Sequence, residues 1–161
     1  MSIGRGPRML TGLVVLAALA LPMQAAADDQ VPFRAAEGGT FQLLGSCEAS
    51  GMVIDVTGTG DATHLGAYSA HYRECFAPAT GAVTNGSFTL TAANGDTLFG
   101  TYSGHVQPTG DPSVIAFDDP GVITGGTGRF ASAAGTVTQS GLANLATGEY
   151  KATLSGSVSS L

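Results

Sequence analysis

Four polar side chains, His64, Tyr72, Glu74 and Tyr102, are the residues of this sequence best placed to act together on a small molecule. A glutamate removed from water has its pKa raised and can give or take a proton near neutrality, while a tyrosine hydroxyl can orient a substrate oxygen. Their claim to a common site rests on strand parity. Between residues 62 and 76 the more apolar parity holds Tyr68, Ala70, Tyr72 and Phe76, and the same parity carries Glu74 and, in an unbroken strand, His64. Further on, Leu98, Tyr102 and Val106 alternate with Thr97, Thr101 and His105. If the apolar parity marks an interior, all four candidates face it, and an apolar wall with a few polar groups is what a small-molecule pocket requires. The competing expectation is structural: one bulge between Gly66 and Arg73 would turn Glu74 outward, and buried tyrosines are more often packed core than ligand contacts.

Other chemistries find less support. His64 and His71 have opposite parity on one regular strand, so no single face presents them together with His105 as a metal site, and no metal is expected. Asp96, Asp111, Asp118 and Asp119 stand in turn contexts, Asp96 as part of the hairpin signal Asn94-Gly95-Asp96. No serine sits in a GxSxG elbow. The glycines near 125 lack the Lys-Ser/Thr pair of a phosphate loop and the GxGxxG spacing of a dinucleotide site. No catalytic residue is assigned, and no cofactor is expected. Asn85-Gly86-Ser87 matches a glycosylation sequon, although Asn85-Gly86 also reads as a hairpin turn.

The elements that would position the candidates are strands. Gly, Thr and Ser dominate after residue 27, Lys and Glu are scarce and Trp is absent, a mixture that starves helices. No segment keeps a 3.6-residue apolar period for three turns, whereas several keep a period of two, including Tyr150, Ala152, Leu154, Gly156 and Val158. Strands are expected near 40–46, 52–59, 62–76, 83–92, 96–107, 114–124, 134–143 and 149–159. About eight strands with no helix to cover an edge predict an all-β fold, a small antiparallel β-barrel, with a β-sandwich as the alternative. Glycines inside strands, such as Gly100, Gly104 and Gly156, suit the crowding of a tightly coiled barrel.

The ends and charge bound the class of protein. Arg5 and Arg8, the apolar run Leu10 to Leu21 and Ala25-Ala26-Ala27 form the three parts of a cleaved export signal over residues 1–27. The run from Met9 to Leu21, about 13 residues, is shorter than the roughly 20 a spanning helix needs. Residues 28–36 read as a flexible leader and 37–161 as one barrel domain, secreted or periplasmic, with no membrane span after signal cleavage. Beyond residue 27, four basic residues face twelve acidic ones, a balance that repels phosphate backbones and disfavours nucleic acid as a partner. Cys47 and Cys75 are the only cysteines, and in an oxidising compartment they are expected to pair, a bond worth roughly 3 kcal/mol through the unfolded chain.

The segment Gly125-Gly-Thr-Gly-Arg-Phe-Ala-Ser-Ala-Ala-Gly135 follows the apolar Val122-Ile123-Thr124. It resembles the GGTG-[KR]-F…A-x-G stretch of dirigent proteins and of the allene oxide cyclase barrel-like family, which includes exported bacterial proteins of unknown function. The resemblance spans about 11 residues and implies an eight-stranded barrel whose interior holds small lipophilic molecules, and implies association into oligomers. Family members include cyclases, isomerases and coupling-directing proteins without an active centre, and their catalytic residues lie outside the matched stretch. Three expectations follow: a binding module with a small lipophilic ligand inside, a cofactor-free cyclase or isomerase of an unsaturated lipid or polyketide-like substrate, or a structural or interaction protein of the envelope.

Overall fold

The computed structural model describes residues 30–159; the export signal expected over residues 1–27 lies outside them. Eight strands run in chain order: β1 (Val31–Ser46), β2 (Met52–Ala62), β3 (Gly66–Ala77), β4 (Ala82–Ala92), β5 (Thr97–Pro108), β6 (Val114–Gly126), β7 (Ala134–Asn144) and β8 (Glu149–Ser159). Each pairs antiparallel with the next, and β8 returns to β1, closing the barrel. Closure removes every edge, so these strands satisfy their backbone without a helix to cover an edge. The described helices are two single 3₁₀ turns, Glu48–Ser50 and Gly128–Phe130, and neither is long and apolar enough to cross a membrane.

Two boundaries differ from expectation. The leader predicted to be flexible is, from Val31 on, the first half of β1, paired with β8 from Val31↔Val158 to Thr40↔Glu149. Its apolar residues Phe33 and Ala35 alternate with Pro32 and Arg34 at period two, and Phe33 is fully buried. The strand expected over 62–76, with a possible bend, begins at Gly66 instead: Ala62 ends β2 and the chain turns at Thr63–Leu65, with His64 in the left-handed region (φ 68°). Asn85-Gly86 is no hairpin turn either. Asn85 (φ 53°) sits inside β4 in a bulge, where the register jumps from Val83↔Gly104 to Gly86↔Tyr102. Two residues facing one flip the strand's parity, so Val83 and Gly86 both point inward.

The interior is unevenly filled. At the end where β2 joins β3, β4 joins β5 and β6 joins β7, Phe33, Leu65, Leu90, Leu98, Ile123 and Val158 pack together. Phe130 closes this end: the Gly125–Gly135 connection makes its 3₁₀ turn there, and the Phe130 ring is 0% exposed. Gly128 permits the turn by taking φ +56°. The motif therefore supplies a plug. The opposite end, lined by the connections β1–β2, β3–β4, β5–β6 and β7–β8, stays open. Cys47 and Cys75 are disulfide-bonded there, tying the β1–β2 connection to the end of β3 across a separation of 28 residues.

Candidate functional site

Above the packed end lies a cavity of about 310 Å³ that opens at the far mouth of the barrel. Its walls are apolar: Phe41 and Leu43 from β1, Met52, Ile54 and Val56 from β2, Phe76 from β3, Val83 from β4, Val106 from β5 and Ile115 and Phe117 from β6. Polar groups gather at its inner end, where Tyr72, Glu74, Tyr102, Asp119, Gln139 and Tyr150 line it.

Glu74 and Tyr102 form one unit. β3 carries Glu74 inward on the parity of Tyr68, Ala70 and Tyr72, since the irregularity at this level falls in β4. The Tyr102 hydroxyl donates to Glu74 Oε2 at 2.6 Å. Gly86 lets the ring reach that far, because a Cβ there would stand 2.7 Å from three of its atoms. Tyr72 meets the same ring edge-on at 6.1 Å between centroids. Burial pushes the Glu74 pKa up, and the hydrogen bond from Tyr102 offsets part of that rise. Burial, with Glu74 close by, also holds Tyr102 neutral well above the usual phenol range.

Asp119 is the second carboxyl in the cavity. It lies in β6, not in a turn as its sequence context suggests, and is 5% exposed. Its Oδ1 is buried without a hydrogen-bond partner. Burial pushes its pKa up to about 7, with the charges of Glu74 and Asp118 adding to the rise. The wall beside it is built for the carboxyl. Gly104 faces Asp119 from β5, and any Cβ there would collide with Oδ1. Pro120 can donate no ladder hydrogen bond, and the β5–β6 pairing skips from Tyr102↔Gly121 to His105↔Asp118.

Beneath these groups Glu37, 8% exposed, is fully engaged. Tyr68 donates to Oε2 at 2.6 Å, Tyr72 to both oxygens at 2.8 and 2.9 Å, and Gln139 and Tyr150 to Oε1 at 2.7 and 3.1 Å. Burial, and then the nearby Glu37, raise the pKa of Tyr68, Tyr72 and Tyr150. This network ties β1, β3, β7 and β8 together at mid-height, and Tyr72, Gln139 and Tyr150 present their outer sides to the cavity.

Of the four residues singled out by sequence, the structure brings together Tyr72, Glu74 and Tyr102. His64 is a correction: it is exposed in the β2–β3 turn at the plugged end, with Nε2 3.2 Å from the Pro32 carbonyl. The turn at 63–65 breaks the parity that pointed it inward. Sequence reasoning missed Glu37, Asp119 and Gln139. Each nevertheless occupies an inward position at period two, as in Phe33-x-Ala35-x-Glu37 and Ile115-x-Phe117-x-Asp119. His71 is paired with Asp55 at 2.9 Å on the outer face, and among the described residues no three His, Cys, Asp or Glu side chains are grouped for a metal. No family model, curated protein or solved structure matches the chain.

Proposed function

We propose that the protein is an extracytoplasmic binding module that holds one small lipophilic molecule in the open half of its barrel. The observation that carries this reading is the cavity itself, about 310 Å³ with apolar walls, closed below by packed side chains and open above. Apolar walls with few, convergent polar groups favour uptake of a lipophilic ligand while fixing its inner end. The export-signal pattern of residues 1–27 and the Cys47–Cys75 bond support a location outside the cytoplasm. The Gly125–Gly135 segment, which resembles that of the dirigent and allene oxide cyclase barrel-like families, points to the same use of a barrel interior.

Native mass spectrometry of protein purified from the exported fraction, followed by a thermal-shift screen of lipophilic compounds, tests the reading. A bound mass, or a raised Tm that is lost when Val83→Trp fills the cavity, is the expected result. A ligand at a hundred times its Kd stabilises by about 2.7 kcal/mol, a readily measured shift. Absence of both would remove the proposal.

The Glu74–Tyr102 pair favours a second reading, a cofactor-free cyclase or isomerase of an unsaturated substrate. A desolvated carboxyl with a hydroxyl bound to it can move a proton on a substrate held by shape alone. The two readings part on the fate of the captured molecule. A binder returns it unchanged, whereas an enzyme returns an isomer of equal mass and different retention, and Glu74→Gln stops the conversion.

A further inference from the structure

The hydrogen bonds around the inner end of the cavity all run one way. An ionised carboxylate only accepts, so each side chain that meets Glu37 must spend a hydrogen on it. Tyr68, Tyr72 and Tyr150 give it their hydroxyl hydrogens, and Gln139 gives one hydrogen of its amide. Tyr102 likewise gives its hydroxyl hydrogen to Glu74 Oε2. Every phenol that lines the cavity has therefore used its only hydrogen within the protein. One N–H is left over, the second hydrogen of the Gln139 amide.

What the cavity offers is thus mostly acceptors. Glu74 Oε1 and Gln139 Oε1 take no donor from the described residues, and neither is sealed off from the cavity that both side chains line. Asp119 Oδ1 is different: it is enclosed over Gly104, out of a ligand's reach, and takes no part in recognition. An acceptor that a ligand covers without answering is costly, more so when it is charged, so a bound molecule is selected by the hydrogens it brings. A ketone, an ether or an ester brings none. A carboxylate is repelled by Glu74. An ammonium brings hydrogens, but it must give up its hydration for a site whose one reachable carboxylate is already hydrogen-bonded by Tyr102. A neutral hydroxyl supplies the missing hydrogen without that cost.

We propose that the ligand is a lipophilic alcohol, bound with its hydroxyl inward and donating to Glu74 Oε1, and with its hydrocarbon part along the apolar walls toward the mouth. This rests on the cavity being a lipophilic binding site, and adds the chemistry of the end that enters first.

Titration calorimetry of the purified protein at pH 8.5, chosen to keep Glu74 ionised, with 2-nonanol and 2-nonanone separates the two claims, because the probes share one carbon skeleton and differ in the hydroxyl. The alcohol is expected to bind at least fivefold more tightly than the ketone. Glu74→Gln sets an amide N–H where the carboxylate oxygen stood, the Tyr102 hydroxyl keeping the amide oxygen, and is expected to reverse the order, so that the ketone binds at least as tightly as the alcohol. Glu74→Leu gives a second reading should the Gln variant fold poorly: it removes the acceptor and frees the Tyr102 hydroxyl to donate, and the ketone again gains on the alcohol. Equal binding of the two probes by the native protein, tighter binding of the ketone, or an alcohol preference that survives both substitutions overturns the alcohol assignment and leaves the lipophilic cavity standing. Failure of both probes to bind up to their solubility limits removes the cavity reading and the alcohol with it.

Discussion

Glu37 and Asp119 show how two buried carboxyls of one barrel come to opposite roles. Glu37 is surrounded by donors that nothing else satisfies, so its removal orphans Tyr68, Tyr72, Tyr150 and Gln139 together. Glu37→Ala is expected to cost at least roughly 3 kcal/mol, since each buried donor left unpaired costs about 1–3 kcal/mol. Urea unfolding followed by near-ultraviolet circular dichroism, which reports the tyrosines, checks it; a loss under 1 kcal/mol would mean that water takes over the network. Asp119 meets no such ring of donors. The difference was not legible in the sequence, where both are acidic residues on an inward parity. Parity says which way a side chain points, but partners come from strands far off in the chain: Gln139 lies 102 residues from Glu37. Tyr72, Glu74 and Tyr102 were legible because regular alternation survives around them, and His64 was misread because the chain turns one residue earlier.

At the level of elements, alternation and turn residues gave seven of the eight strands nearly to their ends, and closure followed from the absence of anything to cover an edge. The missing half of β1 has a physical reason. Pro32, Arg34, Glu37 and two glycines weaken its strand signal, and it is held by pairing with β8, the most distant segment of the chain. Likewise Asn85 takes a positive φ, as a turn residue would, but the fold uses it for a bulge inside β4, and Gly86 beside it makes room for the Tyr102 ring. The connection between β6 and β7 gives the sharpest test of how elements shape the cavity. Its Phe130 is the plug of the closed end, fully buried against the main core. Phe130→Ala is expected to destabilise by about 3–5 kcal/mol, the usual range for a buried phenylalanine. Because the cavity lies at the other end, ligand affinity measured well below the variant's Tm should stay within about threefold of native. A large loss of affinity without loss of stability would show that the two halves of the barrel are not separate.

For the whole molecule, burial of acidic and phenolic groups together sets an unusual dependence of stability on pH. A carboxyl whose pKa is higher in the folded state holds its proton where the unfolded chain has released it, so its contribution is complete below the unfolded pKa and is lost as pH rises through the folded one. Asp119 moves from an ordinary value near 4 to about 7, and Glu74 moves in the same direction. Stability is therefore expected to fall as pH rises from about 4 to about 7 and then level off. For Asp119 alone the fall is on the order of 4 kcal/mol, at 1.36 kcal/mol for each unit of difference. A second decline should begin near pH 10, where the tyrosines of the unfolded chain ionise while Tyr68, Tyr72, Tyr102 and Tyr150 remain neutral in the barrel. Most proteins are instead most stable between about pH 5 and 8. Urea midpoints at pH 4.5, 6, 7.5 and 9 with the disulfide intact follow the first window, and Asp119→Asn should remove most of its slope. Stability that climbs from pH 4.5 to 7.5 would mean that Glu74 and Asp119 are ionised in the barrel at no cost to folding.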